Sequence, residues 1–371
     1  MSVEGGLHRS LERGTESGCD AIQIFTRSGR QWHAPPVRDE EAARFRSALA
    51  AGAPSPAVAH ASYLINMGSP DPALAARSLE ALVDEIDRCE VLGLPFLIIH
   101  PGAHMGEGID AGIARIARSL DAALERRPRA KVRVLLENTA GMGTSVGHTF
   151  GQLAAIRDLS RHIGRTGICI DTCHLFAAGY DISTERGYHE VFEELLGSVG
   201  DGSVLAFHLN DSIGELGCRL DRHEHIGRGR LGLTAFWCLM NDARFEGIPM
   251  ILETPKGPGM EEDRINLALL RGQIGAPRPR HGRKVAAGAG RTPRRAPSRE
   301  AAGGEAQSPA APGRRVVRIR AAKAGRRQPA GTGKAGKRRK VKENGKVGKA
   351  GKVGKVAGAT PARRSVKRGG R

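Results

Sequence analysis

The chain has 371 residues and a formal net charge of +19, but 30 of its 58 Lys+Arg and only 3 of its 39 Asp+Glu fall in residues 276–371. Residues 1–275 are therefore net −8 and long enough for one large α/β domain with a sizeable core, whereas the remaining 96 residues are net +27. No apolar run reaches transmembrane length, the start "MSVEGGLHRSLERGTESG" lacks a signal-peptide core, and the six cysteines have no framework spacing; this excludes membrane-spanning and disulfide-scaffold classes and points to free thiols in a reducing cytoplasm.

In chain order, "GGLHRSLERGTESG" reads as a loop and a first helix with no strand before it. Short apolar runs then alternate with longer amphipathic stretches. The strands are "AIQIF" (21–25), "AVAHA" (57–61), "FLIIH" (96–100), "RVLLE" (133–137), "GICID" (167–171), "VLAFH" (204–208) and "MILET" (250–254). Between them, "LAARSLEALVDEIDRCEVLG" and "ARIARSLDAALERR" place apolar residues three and four apart, as amphipathic helices do. Continuous apolar strands separated by helices make a βα repeat with a buried parallel sheet. Seven strands are visible, and eight would close a TIM (β/α)8 barrel.

From 276 onward the composition changes. "GKAGKRRKVKENGKVGKAGKVGKVAG" is mostly Gly, Ala, Lys, Arg and Val with hardly a large apolar side chain. Such a segment buries too little surface to offset its chain entropy. The expected organisation is a barrel domain over 1–275 followed by a disordered basic tail over 276–371.

Six of the seven strands end in a residue able to bind metal: His60, His100, Glu137, Asp171, His208 and Glu253. In a barrel all strands deliver their C-terminal ends to one face, so these side chains converge. One such residue would read as a polar strand cap. Six together need cations to offset repulsion and desolvation. His174 lies three residues past Asp171, and "DRHEHIGRG" adds Asp221 and His223 after His208, so a second pocket is implied. Nitrogen and oxygen donors favour zinc, with manganese or iron as alternatives. Cys169 and Cys173 flank this cluster with a C-x-x-x-C spacing, not the C-x-x-C of a redox motif, and read as small packed residues.

These motifs resemble the endonuclease IV family of zinc-dependent apurinic/apyrimidinic endonucleases. The matching stretches are "HASYLINMGSP", "IIHPGAH", "LLENTAG", "CIDTCHLFAAGYD", "HLNDS", "DRHEHIGRG" and "ILETP", spanning residues 3 to about 256. The resemblance implies three zinc ions per chain: one on His60, His100 and Glu137; a second on Glu137, Asp171, His208 and Glu253; a third on His174, Asp221 and His223. It implies hydrolysis of the phosphodiester 5′ to an abasic site, leaving a 3′-hydroxyl, and removal of 3′-blocking groups. The catalytic set would be Glu137, Asp171, His208 and Glu253. Arg30, Tyr63 and Leu64 match the residues that the family inserts into the duplex at the lesion.

The resemblance also implies a strand ahead of the loop in which "MSVEGGL" begins, so an upstream start of translation is expected. The expected setting is a monomer in the cytoplasm, associated with the nucleoid, binding abasic duplex DNA through the barrel and undamaged DNA through the tail. A xylose-isomerase-like sugar isomerase or epimerase is the nearest alternative, but His60, His174 and the "DRHEHIGRG" loop overfill a site for one or two metals. A DNA-coating protein with an inactive barrel is the other, and the complete ligand set opposes it.

Overall fold

A computed structural model describes residues 1–279. The elements run α1 (Leu7–Glu16), β1 (Ile22–Ile24), α2 (Asp39–Ala50), β2 (Ala57–His60), α3 (Pro72–Leu92), β3 (Phe96–Ile99), α4 (Ile109–Arg126), β4 (Arg133–Glu137), α5 (Phe150–Leu159), β5 (Thr166–Asp171), α6 (Thr172–Ala178), α7 (Glu185–Val199), β6 (Val204–Leu209), β7 (Asp211–Ser212), β8 (His223–Glu224), α8 (Leu233–Met240), β9 (Met250–Leu252) and α9 (Glu261–Arg271). Both quoted amphipathic stretches are helices, α3 and α4. Local chemistry sets their ends. Asp71 caps α3 by accepting from Ala73 N–H, Pro72 supplies the first turn, and Gly93 ends it at φ 75°.

The seven expected strands form one parallel sheet in the order β1-β2-β3-β4-β5-β6-β9, each pairing with its neighbour in sequence. The fold is a TIM barrel. Among the described residues β1 and β9 do not pair with each other, so a seam runs between them. β7 and β8 form a separate antiparallel pair on the loop after β6.

Two apolar layers hold the sheet. The larger lies between sheet and helices, from Leu11 and Phe45 through Ile86, Leu120 and Phe150 to Phe192 and Phe236. The smaller fills the barrel interior with Val58, Ile98, Leu135, Cys169, Ala206 and Ile251. Strand side chains alternate faces, so residues two further along point inward one level higher. Those residues are His60, His100, Glu137, Asp171, His208 and Glu253. One strand period thus turns a dry floor into a polar rim. Cys169 belongs to the floor, as expected.

Among the described residues no helix is long and apolar enough to cross a membrane. The chain stays tied to the barrel past Gly275: Trp237 Nε1–H donates to Ala276 O at 2.8 Å, and Arg278 pairs with Glu185 at 2.7 Å. The rest of the expected tail, 280–371, lies outside the described residues.

Candidate metal centre

Glu137 is the hub of the polar rim. It is buried at the end of β4. Its Oε2 lies 3.1 Å from His60 Nε2 and 3.2 Å from His100 Nε2, and its Oε1 lies 3.0 Å from His208 Nδ1 and 3.4 Å from His174 Nδ1. Burial pushes this carboxyl up, but His208, His100 and His174 outweigh it and hold Glu137 well below the usual carboxylate range. His208 Nδ1 also faces Glu253 Oε2 at 3.2 Å. His100 and Glu253 stand one residue beyond the last residues of β3 and β9, where the chain leaves the sheet.

The second pocket is assembled by α6 and the β7–β8 hairpin. Asp171 ends β5 and caps α6, its Oδ1 accepting from His174 N–H at 2.8 Å. That cap places His174 one turn above the strand end. The hairpin is pinned to α6 by Gly217 N–H on Phe176 O and Arg219 N–H on Ala177 O. It brings Asp221 Oδ2 to 3.3 Å from His174 Nε2, and Asp221 Oδ1 to 3.0 Å from His223 Nε2. Burial lowers His223, but Asp171 and Asp221 overcome it and raise the imidazole to about 9. Burial raises Asp221, but the imidazoles of His174 and His223 against it hold it below the carboxylate range.

All nine expected side chains therefore meet on one face. Four sets have donor atoms within 4.8 Å of one another: His60–His100–Glu137; Glu137–Asp171–His208–Glu253; Asp171–His174–His223; and Cys173–Asp221–His223. The first two coincide with the expected groups. The third group is shared differently, because Asp171 also reaches His174 and His223, while Cys173 lies beside Asp221. The Cys173 thiol donates to Arg222 O at 3.5 Å, and burial and Asp171 push it up to about 12.

Four of the five imidazoles share one arrangement. His60 Nδ1–H donates to Ala61 O, His174 Nδ1–H to Asn138 O and His223 Nδ1–H to Glu253 O, while His208 Nε2–H donates to Gln23 Oε1. Each then turns its other nitrogen toward a carboxylate. Histidines that bind metal are held this way, with the second nitrogen bonded to a carbonyl or carboxyl group. His223 Nε2 is buried, 3.0 Å from Asp221 Oδ1 and 3.7 Å from Asp171 Oδ2, aligned with neither for a hydrogen bond. An orphaned nitrogen facing two carboxylates is what a cation site leaves when only protein atoms are counted. The donor set fits metal ions.

Sequence reasoning passed over three residues here. Gln23 of β1 reaches both His208 and Glu253. Asn138 accepts from Asp171 N–H at 2.6 Å, and Asn210 donates to Asp171 Oδ2 at 2.6 Å while accepting from Glu253 N–H. Their signal was position: each amide follows a candidate ligand by one or two residues, in "LLEN" and "FHLN", or occupies the rim level of the remaining strand, in "AIQ".

The residues expected to enter the duplex flank this face. Arg30 and Tyr63 are exposed and Leu64 is half-buried. Their loops are joined, since Gly29 O accepts from both Tyr63 N–H (3.2 Å) and Ser62 Oγ–H (2.9 Å). The Tyr63 ring lies 5.2 Å from His60 and 5.9 Å from His100, at the edge of the metal centre.

Residues 11–272 match the family model described as the xylose isomerase-like TIM barrel. The chain is 48% identical over 274 residues to a probable endonuclease 4 of Chloroflexus aurantiacus, covering 74% of this chain and 96% of that protein. It is 44% identical to the probable endonuclease 4 of Geotalea daltonii over the same length. The crystal structure of endonuclease IV from Thermus thermophilus superposes with a TM-score of 0.66 at 34% identity, covering 74% of this chain and 97% of that one. A D-tagatose 3-epimerase-like protein superposes at 0.57 with 18% identity and shares the fold alone. With a relative this similar along nearly its whole length, and a barrel rim carrying the metal-type residues that the motifs required, the chain belongs to the endonuclease IV family.

Proposed function

We propose that this endonuclease is a DNA-repair enzyme that hydrolyses the phosphodiester 5′ to abasic sites, leaving a 3′-hydroxyl, and that it clears 3′-blocking groups. The observation that supports it best is the paired use of four of the five imidazoles, His60, His174, His208 and His223: one nitrogen is committed to a carbonyl or amide and the other turned toward a carboxylate of the site. Three zinc ions would be held by His60, His100 and Glu137; by Glu137, Asp171, His208 and Glu253; and by His174, Asp221 and His223. Manganese or iron would suit the same donors at some positions. When bound, the zinc ions supply Lewis-acid charge to phosphoryl oxygens and draw the pKa of water toward about 7.

The chain's own residues do the rest. Glu137 faces two of the pockets and links them. Asp171, tied at both oxygens and at its amide, cannot swing away as charge develops. Arg30, Tyr63 and Leu64 enter the duplex at the lesion and fill the space left by an extruded nucleotide, as wedging side chains do. The enzyme acts as a monomer near the nucleoid, and its basic tail adds sequence-independent phosphate contacts.

Protein loaded with zinc is incubated with a duplex carrying one abasic site, alongside an undamaged duplex, and zinc per chain is counted. Expected are three zinc ions and a single cut 5′ to the lesion with a 3′-hydroxyl that a polymerase extends. Intact abasic duplex, or an unextendable 3′ end, would overturn the reading.

A further inference from the structure

Each strand sends one residue to the rim level, and on β1 that residue is Gln23, two beyond Ala21 of the barrel floor. Gln23 is buried. Its carboxamide crosses the seam between β1 and β9: Nε2–H donates to Glu253 Oε1 at 2.6 Å, and Oε1 accepts from His208 Nε2–H at 2.8 Å. One amide orientation satisfies both contacts. The reverse would set NH2 against an imidazole N–H and a carbonyl against a carboxylate.

This fixes two choices. His208 has Nε2–H committed to Gln23, so Nδ1 is the nitrogen that faces Glu137 Oε1 and Glu253 Oε2 and is left to exchange its proton for an ion. Glu253 has one oxygen engaged by the amide, leaving Oε2 on the side of His208 Nδ1. The main chain of Glu253 is anchored separately, its N–H on Asn210 and its carbonyl receiving His223. Gln23 therefore sets side-chain direction, not backbone position.

We propose that Gln23 is the positioning residue for the His208–Glu253 half of the metal centre, selecting the nitrogen of His208 and the oxygen of Glu253 that meet the ion. This rests on the metal reading above. Glutamine suits the place because it both donates and accepts. Leucine, of similar size, does neither, and glutamate would oppose Glu253.

The test is zinc competition on Gln23→Leu. Wild type and variant are dialysed against graded chelator, and zinc per chain and thermal midpoint are read at each step. Groups that orient metal ligands typically contribute 10–100-fold to affinity. The variant should lose its most weakly held zinc at about 10–100-fold lower chelator activity than wild type. The rise in midpoint caused by zinc should shrink. A packing role alone would lower the metal-free and zinc-loaded midpoints by the same amount. With abasic duplex as substrate, kcat should fall while KM holds, because the Gln23 side chain bonds Glu253 and His208 and none of Arg30, Tyr63 or Leu64. Coincident competition curves for wild type and variant would overturn the proposal. Should Gln23→Leu not fold, Gln23→Met carries the same expectation and the same refutation. The zinc curves need no DNA, so a wild type that fails to cut abasic duplex refutes the nuclease reading and leaves the Gln23 result standing.

Discussion

Glu137 is where the largest effect of a single side chain is expected. Four imidazoles approach its two oxygens within 3.4 Å. Glu137→Ala removes the carboxylate that two pockets share, and metals supply several kcal/mol of transition-state stabilisation in such reactions. Cleavage of abasic duplex should fall by about three orders of magnitude or more. Binding measured by anisotropy should change only a few-fold, since phosphate contacts and the Tyr63 and Arg30 loops are untouched. Near wild-type cutting by this variant would remove the metal assignment. Cys173 is the contrasting residue. It lies beside Asp221 and His223, yet its thiol is pushed up to about 12 and already donates to Arg222 O. Thiolates, not thiols, bind zinc well. Cys173→Ser should keep both zinc content and rate, and the loss of one zinc per chain would make it a ligand.

At the scale of elements, the two loops flanking the site depend on one buried ion pair. Glu85 of α3 accepts from Arg27 Nε–H at 2.8 Å, Thr26 Oγ–H at 2.6 Å and Ser62 N–H at 3.3 Å. Arg27 in turn donates to Trp32 O and Ala81 O. The chain leaving β1, which bears Arg30, and the chain leaving β2, which bears Tyr63, are thus pinned to the same helix. Removing one partner of a buried pair costs about 3–5 kcal/mol where it strands the other charge, an upper bound here because Asp84 Oδ2 stays 3.4 Å from Arg27 Nη1. Glu85→Ala should lose stability of that order in urea unfolding. It should also raise KM for abasic duplex more than it lowers kcat, because the loops loosen while the metal-facing side chains stay. An unchanged KM would separate these loops from DNA binding.

For the whole molecule, charge acts in two ways. Without metal, the folded centre holds protons that zinc would replace. His223 is raised to about 9 and His174 is also raised, in both cases by neighbouring carboxylates against burial. A raised imidazole stabilises the fold fully below its ordinary value near 6.5, and that stabilisation is lost as pH rises through the folded value. The metal-free protein should therefore lose on the order of 2–3 kcal/mol between about pH 6.5 and 9 from His223 alone. The zinc-loaded protein should not, because ion binding strengthens as those protons leave. Thermal midpoints with and without chelator across that range check this, and parallel curves would contradict it. The second effect concerns residues 280–371. The segment 1–275 is net −8, a poor match for a polyanion, and 276–371 is net +27. Each phosphate neutralised adds roughly 0.9 to the slope of log K against log salt. Truncation after Pro279, which spares the Trp237 and Arg278 contacts, should weaken binding to undamaged duplex and flatten its salt dependence. The rate on a short abasic substrate at saturation should stay the same. Equal slopes would show that the tail does not bind DNA.

The barrel and the metal-type side chains on its rim are legible along the chain. Seven apolar runs separated by helical periods specify a parallel sheet, and side chains that alternate faces force His60, Glu137, Asp171 and His208 to the rim above Val58, Leu135, Cys169 and Ala206. That logic is local, so it can be read along the chain. Tertiary structure decided what depends on elements distant in sequence. The sharing of Asp171 between pockets follows from α6 meeting the β7–β8 hairpin, which lies well beyond it along the chain. The role of Gln23 follows from β1 standing beside β9, 230 residues away, where its amide meets Glu253. Its place in "AIQ" marks only that it reaches the rim; its role lies in which carboxylate and which imidazole the fold sets on either side of it.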